Sequence, residues 1–267
     1  MTSFTPPTAL TIAGSDSGGG AGIQADLRTF SFHRVHGTSA LTCVTAQNTT
    51  GVTRVDALAP DAVIAQIEAV VSDIGVQAAK TGMLLNQPII EAVASYLTKH
   101  PIAQLVIDPV MVSRTGAKLI DEGAIASLKS QLLPLATVLT PNRYEAQILA
   151  SIEIESLADM EAAARKIQAL GPQAVIVKGG GFTGELKGVD VWCEKGTCTV
   201  LKTEQVDTTN THGTGCTLSS AITANLAKDL APFAAVTAAK DYVTQALEHS
   251  LSIGKGQGPV GHFYAIL

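Results

Sequence analysis

Between Asp159 and Gly180 the chain reads DMEAAARKIQALGPQAVIVKGG. Asp159–Leu170 carries a helical pattern, which Gly171-Pro172 stops. A short apolar run, Ala174–Val177, follows and ends on Lys178-Gly179-Gly180. A run without polar alternation fits a strand covered on both faces, as in a parallel sheet. Similar runs occur on either side: Ala9–Ala13, Ala40–Ala46, Val76–Ala79, Leu105–Ile107 and Val138–Leu139. Between them lie helical spacings. Ile23, Leu27 and Phe30 fall at i, i+4, i+7, as do Val63, Ile67 and Val70, and again Ile89, Val93 and Tyr96. Such alternation predicts βαβ units with right-handed crossovers and helices on both faces of the sheet. Beyond Val177, Val189–Trp192 and Thr197–Leu201 flank Glu194-Lys195-Gly196 and read as a β-hairpin. Two long helices, Gly213–Ala227 and Pro232–Ser250, close the chain. The expectation is an α/β fold: one three-layer αβα domain over residues 1–267 with a mostly parallel central sheet.

Composition narrows the function. The 267 residues are 46% hydrophobic and 15% charged, with a formal net charge of −5. A weakly acidic surface gives no electrostatic footprint for nucleic acid or anionic membrane. Aromatic residues make up 4%, too few to suggest a stacking platform for single-stranded bases. No apolar run approaches the roughly 20 residues of a membrane helix, and no secretory pattern opens the chain, so a cytoplasmic location is expected. The four cysteines, Cys43, Cys193, Cys198 and Cys216, lack zinc-ligand spacing. Cys193 and Cys198 can approach one another on the hairpin, and are read as small half-buried hydrophobes.

Ligands of open α/β sheets bind beyond the carboxyl ends of the strands. One candidate there is Asn210-Thr211-His212-Gly213-Thr214-Gly215-Cys216, where two glycines lead into a helix. The first amides of a helix lack intrahelical partners and carry partial positive charge, which suits a phosphate in transfer. A plain glycine-rich turn is the competing reading. Cys216, in the first turn, has three possible roles: a weak general base with a thiol pKa lowered by the helix start, a donor of its backbone amide only, or a packing residue. The segment Gly14–Gly22 holds five glycines in nine positions after the first strand. Its end, Gly20-Ala21-Gly22-Ile23-Gln24-Ala25, matches a loose dinucleotide pattern but lacks the ribose-binding acid expected about 20 residues on. Asp26, a turn further along, either accepts hydrogen bonds from a ligand or lies on a solvated helix face. Asn142 and Glu145 share one face of a helix start. There they either hold the hydration shell of Mg2+ beside ATP phosphates or form an N-cap with an acidic first turn. Asp108 can add a second carboxylate, and Lys178 can reach phosphates as a point charge. No P-loop and no protein-kinase signature is present, so phosphoryl transfer needs another scaffold.

Taken together these segments resemble the ribokinase-like superfamily, and within it the hydroxymethylpyrimidine/phosphomethylpyrimidine kinases of thiamine biosynthesis. The matching stretches are Ala13–Asp16 with Gly19–Asp26, Thr45–Asn48, Lys80–Met83, Asp108–Met111, Thr140–Asn142, Val177–Gly180, Asn210–Cys216 and Gly254–Val260. The resemblance implies an ATP- and Mg2+-dependent enzyme that phosphorylates 4-amino-5-hydroxymethyl-2-methylpyrimidine and then its monophosphate. It implies that Gly14, Asp26, Gln47, Met83 and Val110 line the pyrimidine pocket, and that Gly213, Thr214, Gly215 and Cys216 form the anion hole. Lys178, Asn142 and Thr214 would serve the ATP phosphates, and Asp108, Glu145 and Asn142 the metal. A homodimer is also implied. Vitamin B6 kinases of the same fold are the alternative.

Sugar kinases of this superfamily usually end the glycine-rich segment on an aspartate general base, where this chain has Cys216. General-base assistance is worth about 10²–10⁴-fold, and a loose transition state leaves most of phosphoryl transfer to positioning and electrostatics. A phosphate monoester, with a second pKa near 6, is already an anionic nucleophile at neutral pH. The thiol is therefore expected to matter to the first step only.

Overall fold

The computed structural model describes residues 5–111 and 120–267, so residues 1–4 and 112–119 of the expected domain lie outside the described residues. Among the described residues nine strands form one sheet in the order β3-β2-β1-β4-β5-β6-β7-β8-β9. They are β1 (Thr8–Asp16), β2 (His36–Asn48), β3 (Gly51–Ala57), β4 (Ala78–Thr81), β5 (Gln104–Ile107), β6 (Val138–Leu139), β7 (Ala174–Val177), β8 (Val189–Glu194) and β9 (Thr197–Lys202). From β2 to β7 every pairing is parallel; β3 at one edge and β8–β9 at the other are antiparallel.

The short apolar runs became the central strands because both of their faces are covered. On β7, Val175 and Val177 pack into one cluster while Ala174 and Ile176 pack into the other. The first cluster takes side chains from α2 (Pro60–Asp73), α3 (Gln87–Lys99), α4 (Glu122–Ser127), α5 (Arg143–Ala150) and α6 (Leu157–Gln168). The second takes them from α1 (Gly22–Phe32), α7 (Thr214–Ala227) and α8 (Pro232–Glu248). Helix α4 runs on through a π turn at Leu128–Leu132, a feature without a periodic sequence signal. Strand β3 was not expected: all its residues are exposed, so neither an apolar run nor alternation marks it.

A buried ion pair links the sheet to the helix layer that holds α1 and α7. Lys80 on β4 and Asp26 on α1 are fully buried, with Nζ 2.8 Å from Oδ1. Thr11 on β1 donates to the other carboxylate oxygen at 2.6 Å, and Ser220 on α7 donates a short hydrogen bond to Oδ1. Burial would drive the Lys80 ammonium down, but Asp26 and Asp108 outweigh it and leave its pKa above the ordinary value. Removing one member of such a pair strands the other charge in the interior. Asp26→Asn is therefore expected to cost about 3–5 kcal/mol in urea unfolding, against a smaller loss for a double variant that replaces both Asp26 and Lys80 with apolar residues.

Candidate active site

The carboxyl ends of β5, β6 and β7 bring Asp108, Thr140 and Lys178 together. Lys178 Nζ lies 3.2 Å from Asp108 Oδ1, which also accepts from Thr140 Oγ1 at 3.3 Å. The second oxygen of Asp108 accepts from Ser219 of α7 at 3.3 Å. Burial would lower the Lys178 ammonium; Asp108 and Glu145 together hold it above its ordinary value, so it remains charged. Asn142 caps α5 through a reciprocal capping box: its Oδ1 accepts the Glu145 amide at 3.0 Å, and Glu145 Oε2 accepts the Asn142 amide at 2.8 Å. Of the two alternatives for this pair the N-cap is the one the geometry shows, and the cap sits beside Asp108 and Lys178. Burial and the charge of Asp108 push the Glu145 carboxyl well above the usual range, against Lys178 and the Asn142 and Met111 amides.

Helix α7 enters the same space. Gly213 is its N-cap in the left-handed region, φ +81°, and a Cβ there would lie 1.8 Å from Gly20 O. Only glycine fits. A Cβ on Gly215 would lie 3.4 Å from Lys178 Nζ and 3.8 Å from Asp108 Oδ2, so the first amides of α7 lie beside the lysine. The loop 179–181 is held from behind: Asp190 on β8 accepts the Gly179 amide at 2.8 Å and pairs with Lys240 of α8 at 2.7 Å.

Across the opening, Asp16 organises the glycine-rich loop. Its carboxylate accepts the amides of Gly18, Gly20 and Ala21 at 2.8, 3.1 and 2.8 Å and contacts His212 Nε2 at 2.9 Å. Burial acts to raise the Asp16 pKa, but His212 and these amides prevail and hold it below its ordinary value. Gln47 Nε2 lies 3.4 Å from the same His212 nitrogen, so the end of β2 closes on the segment before Gly213. The β1–β2 register shifts between Ala13 and Ser15; at Gly14, a Cβ would approach Cys43 Sγ to 2.7 Å and Met83 Cε to 2.9 Å. Gly14, Gln47, Met83 and the half-buried Val110 thus sit on the strand ends that flank α7.

The structure corrects two expectations. Asp26 does not present its carboxylate to a ligand: it is fully buried and engaged by Lys80, Thr11 and Ser220. Its spacing after the glycine-rich loop could not reveal a partner from a strand more than fifty residues on. Nor does the helix start lower the Cys216 thiol. Burial and the carboxylates of Asp26 and Asp108 raise it to about 11, despite Lys80 and the Gly22 amide. Sequence reasoning had Lys80 and His212 inside its matching stretches without a role for either, and passed over Ser219 and Ser220. An aspartate two and four residues ahead of glycines was a readable Asx-type signal for Asp16; the others become visible only through the topology.

The sequence profile of the phosphomethylpyrimidine kinase family matches residues 16–261. The chain belongs to that family. This kinase is 64% identical over 260 residues to the hydroxymethylpyrimidine/phosphomethylpyrimidine kinase of Synechococcus elongatus, which covers 97% of this chain and 98% of that relative. Among solved structures it resembles an ADP complex of Bacillus subtilis pyridoxal kinase, with a TM-score of 0.92 and 42% identity over 98% of this chain and 100% of the other. A phosphomethylpyrimidine kinase from Clostridium difficile gives a TM-score of 0.82 and 43% identity over 90% and 99%. The kinase is a phosphotransferase of the ribokinase-like fold.

For the kinase, a thiol near pKa 11 means that almost none of Cys216 is thiolate at neutral pH. The rate of Cys216 alkylation by iodoacetamide, followed by peptide mass spectrometry, is expected to rise about tenfold per pH unit through pH 9. A plateau below pH 8 would restore the thiol as a base.

Proposed function

We propose that the chain phosphorylates the alcohol of 4-amino-5-hydroxymethyl-2-methylpyrimidine and then the resulting monophosphate, serving thiamine biosynthesis. The observation that carries this reading is the meeting of Lys178 and the α7 amides at Gly215, inside a family match that spans both sides of the opening. The strand ends with Gly14, Gln47, Met83 and Val110 would hold the pyrimidine ring; Gln47 supplies a donor and an acceptor for its amino-substituted edge. Thr214, Gly215 and Cys216 would present backbone amides to the phosphoryl group in transfer, with Lys178 and Asn142 on the donor phosphates.

The donor set suits Mg2+ that arrives with nucleotide. Asp108 and Glu145 offer hard oxygens beside Asn142, yet their near oxygens already hold Lys178 and the Asn142 amide. Among the described residues no cluster of three acidic, histidine or cysteine side chains forms a cage. Such residues fit a hydrated ion completed by phosphates, the usual habit of Mg2+. When bound, the ion would neutralise phosphate charge.

In the first step the alcohol loses its proton late, to solvent or to the product phosphate, because Cys216 holds its own proton. In the second step the nucleophile is already an anion, as its second pKa near 6 requires. Cys216 therefore acts in both steps through its backbone amide. The expected result is that Cys216→Ser lowers both rates alike and by far less than the roughly 10²–10⁴-fold of a lost base. Lys178→Met should lower kcat of both steps by about 10²–10³-fold, as loss of a preorganised charge does. Separate assays on alcohol and monophosphate, resolving diphosphate product, check this. A first step damaged much more than the second would return Cys216 to the role of base.

The likeness to a pyridoxal kinase supports a second reading, phosphorylation of a vitamin B6 alcohol. Turnover of pyridoxal without any diphosphate product from the pyrimidine would favour it. We further propose a cytoplasmic homodimer, supported by the exposed Val44, Val52 and Val55 along the β2–β3 edge. A monomeric mass in light scattering at micromolar concentration would remove the dimer.

A further inference from the structure

The hairpin on the far edge of the sheet holds a pair of cysteines that the phosphoryl-transfer reading does not use. Lys195 and Gly196 join β8 to β9 with φ of +51° and +78°, the geometry of a two-residue turn whose twist matches the strands. Glu194 pairs with Thr197 next to that turn, and Cys193 with Cys198 beyond it. In a two-residue hairpin the pair flanking the turn exchanges both backbone hydrogen bonds. The next pair is the non-hydrogen-bonded kind, with α-carbons about 4.5 Å apart and side chains close. That separation falls in the range of about 4.4–6.8 Å that a disulfide spans. Both thiols turn to the α6 face, where Cys193 Sγ lies 3.8 Å from Gln168 Oε1 and Cys198 Sγ 3.9 Å from Glu161 O. They also interact with one another, and the charge of Arg165 acts on both. Cys193 is buried and Cys198 half-exposed. The pair sits opposite Val175, one strand pair further from the strand ends of the kinase site than Trp192 opposite Ile176.

We propose that Cys193 and Cys198 are a redox-active dithiol, which a small-molecule disulfide closes into a cross-strand disulfide that braces the β8–β9 hairpin. Cys198, the accessible thiol, enters first. Its thiolate attacks one sulfur of the oxidant; that S–S bond breaks, and one thiolate leaves and takes up a proton. Cys193 then gives its proton to solvent and attacks the Cys198 sulfur, displacing the second thiol. Two protein thiols are oxidised, and one disulfide is reduced to two thiols. Burial and the neighbouring Cys198 push the Cys193 thiol up to about 12, so closure is the slower step and quickens as pH rises.

The test incubates the reduced full-length protein with excess oxidised glutathione and maps thiols by mass spectrometry under non-reducing conditions. Wild type should yield a Cys193–Cys198 crosslink lacking two hydrogens and reversible by dithiothreitol. Cys193→Ala should stop at a glutathione adduct on Cys198, and Cys198→Ala should give neither product at this site. Hydrogen exchange at the amides of β8 and β9 should slow in the oxidised form. Two free thiols at 193 and 198 after prolonged oxidation of a natively folded sample overturn the proposal. So does a stable Cys198 adduct that never closes in wild type.

Discussion

The pairing of Lys80 with Asp26 constrains the rest of the molecule, because a full charge of each sign has been taken out of water at the centre of the fold. Such a pair is tolerated only when its remaining hydrogen-bonding capacity is met. Here β1 contributes Thr11 and α7 contributes Ser220, so β1, α1, β4 and α7 must all be in place together. The adjacent residue on α7, Ser219, reaches the other carboxylate, Asp108, which pairs with Lys178. Two consecutive serines thus tie one turn of α7 to two separate lysine–aspartate pairs. The start of the helix one turn earlier inherits that position. What holds the core together therefore also sets where the first amides of α7 point.

The same low-dielectric surroundings treat each ionisable group differently. Lysines with carboxylate partners keep their charge, whereas Cys216, with carboxylates nearby, holds its proton more firmly than a free thiol does. Glu145 lies close to Asp108 and is likewise driven toward its neutral form. Lys80 and Lys178 are thus fixed positive charges in these surroundings.

Much of the fold was legible because buried parallel strands announce themselves as unbroken apolar runs: Val138–Leu139 and Ala174–Val177 were read to the residue. Strand β3 was not, because an exposed edge paired by backbone alone leaves no side-chain pattern. In the site, Lys178 and Asp108 were readable as polar residues ending apolar strands. Asp26 was misjudged because a carboxylate after a glycine-rich loop looks the same whether it faces solvent, a ligand or a lysine. For Cys216, local helix electrostatics allowed a lowered pKa as one of three readings; tertiary burial raises it instead.

The contact of Gly213 with the Gly20 carbonyl has a wider consequence. Main chain rests on main chain there, from loops almost two hundred residues apart, with His212 wedged against Gly20 and Pro259. At the Gly213–Gly20 contact itself no side chain can be added without moving main chain, so that point of the joint cannot be tuned one substitution at a time. The walls beside the joint, such as Met83 and Val110, are side chains and can be exchanged without moving it. The joint itself would behave as a fixed hinge pin around which those walls are free to diverge.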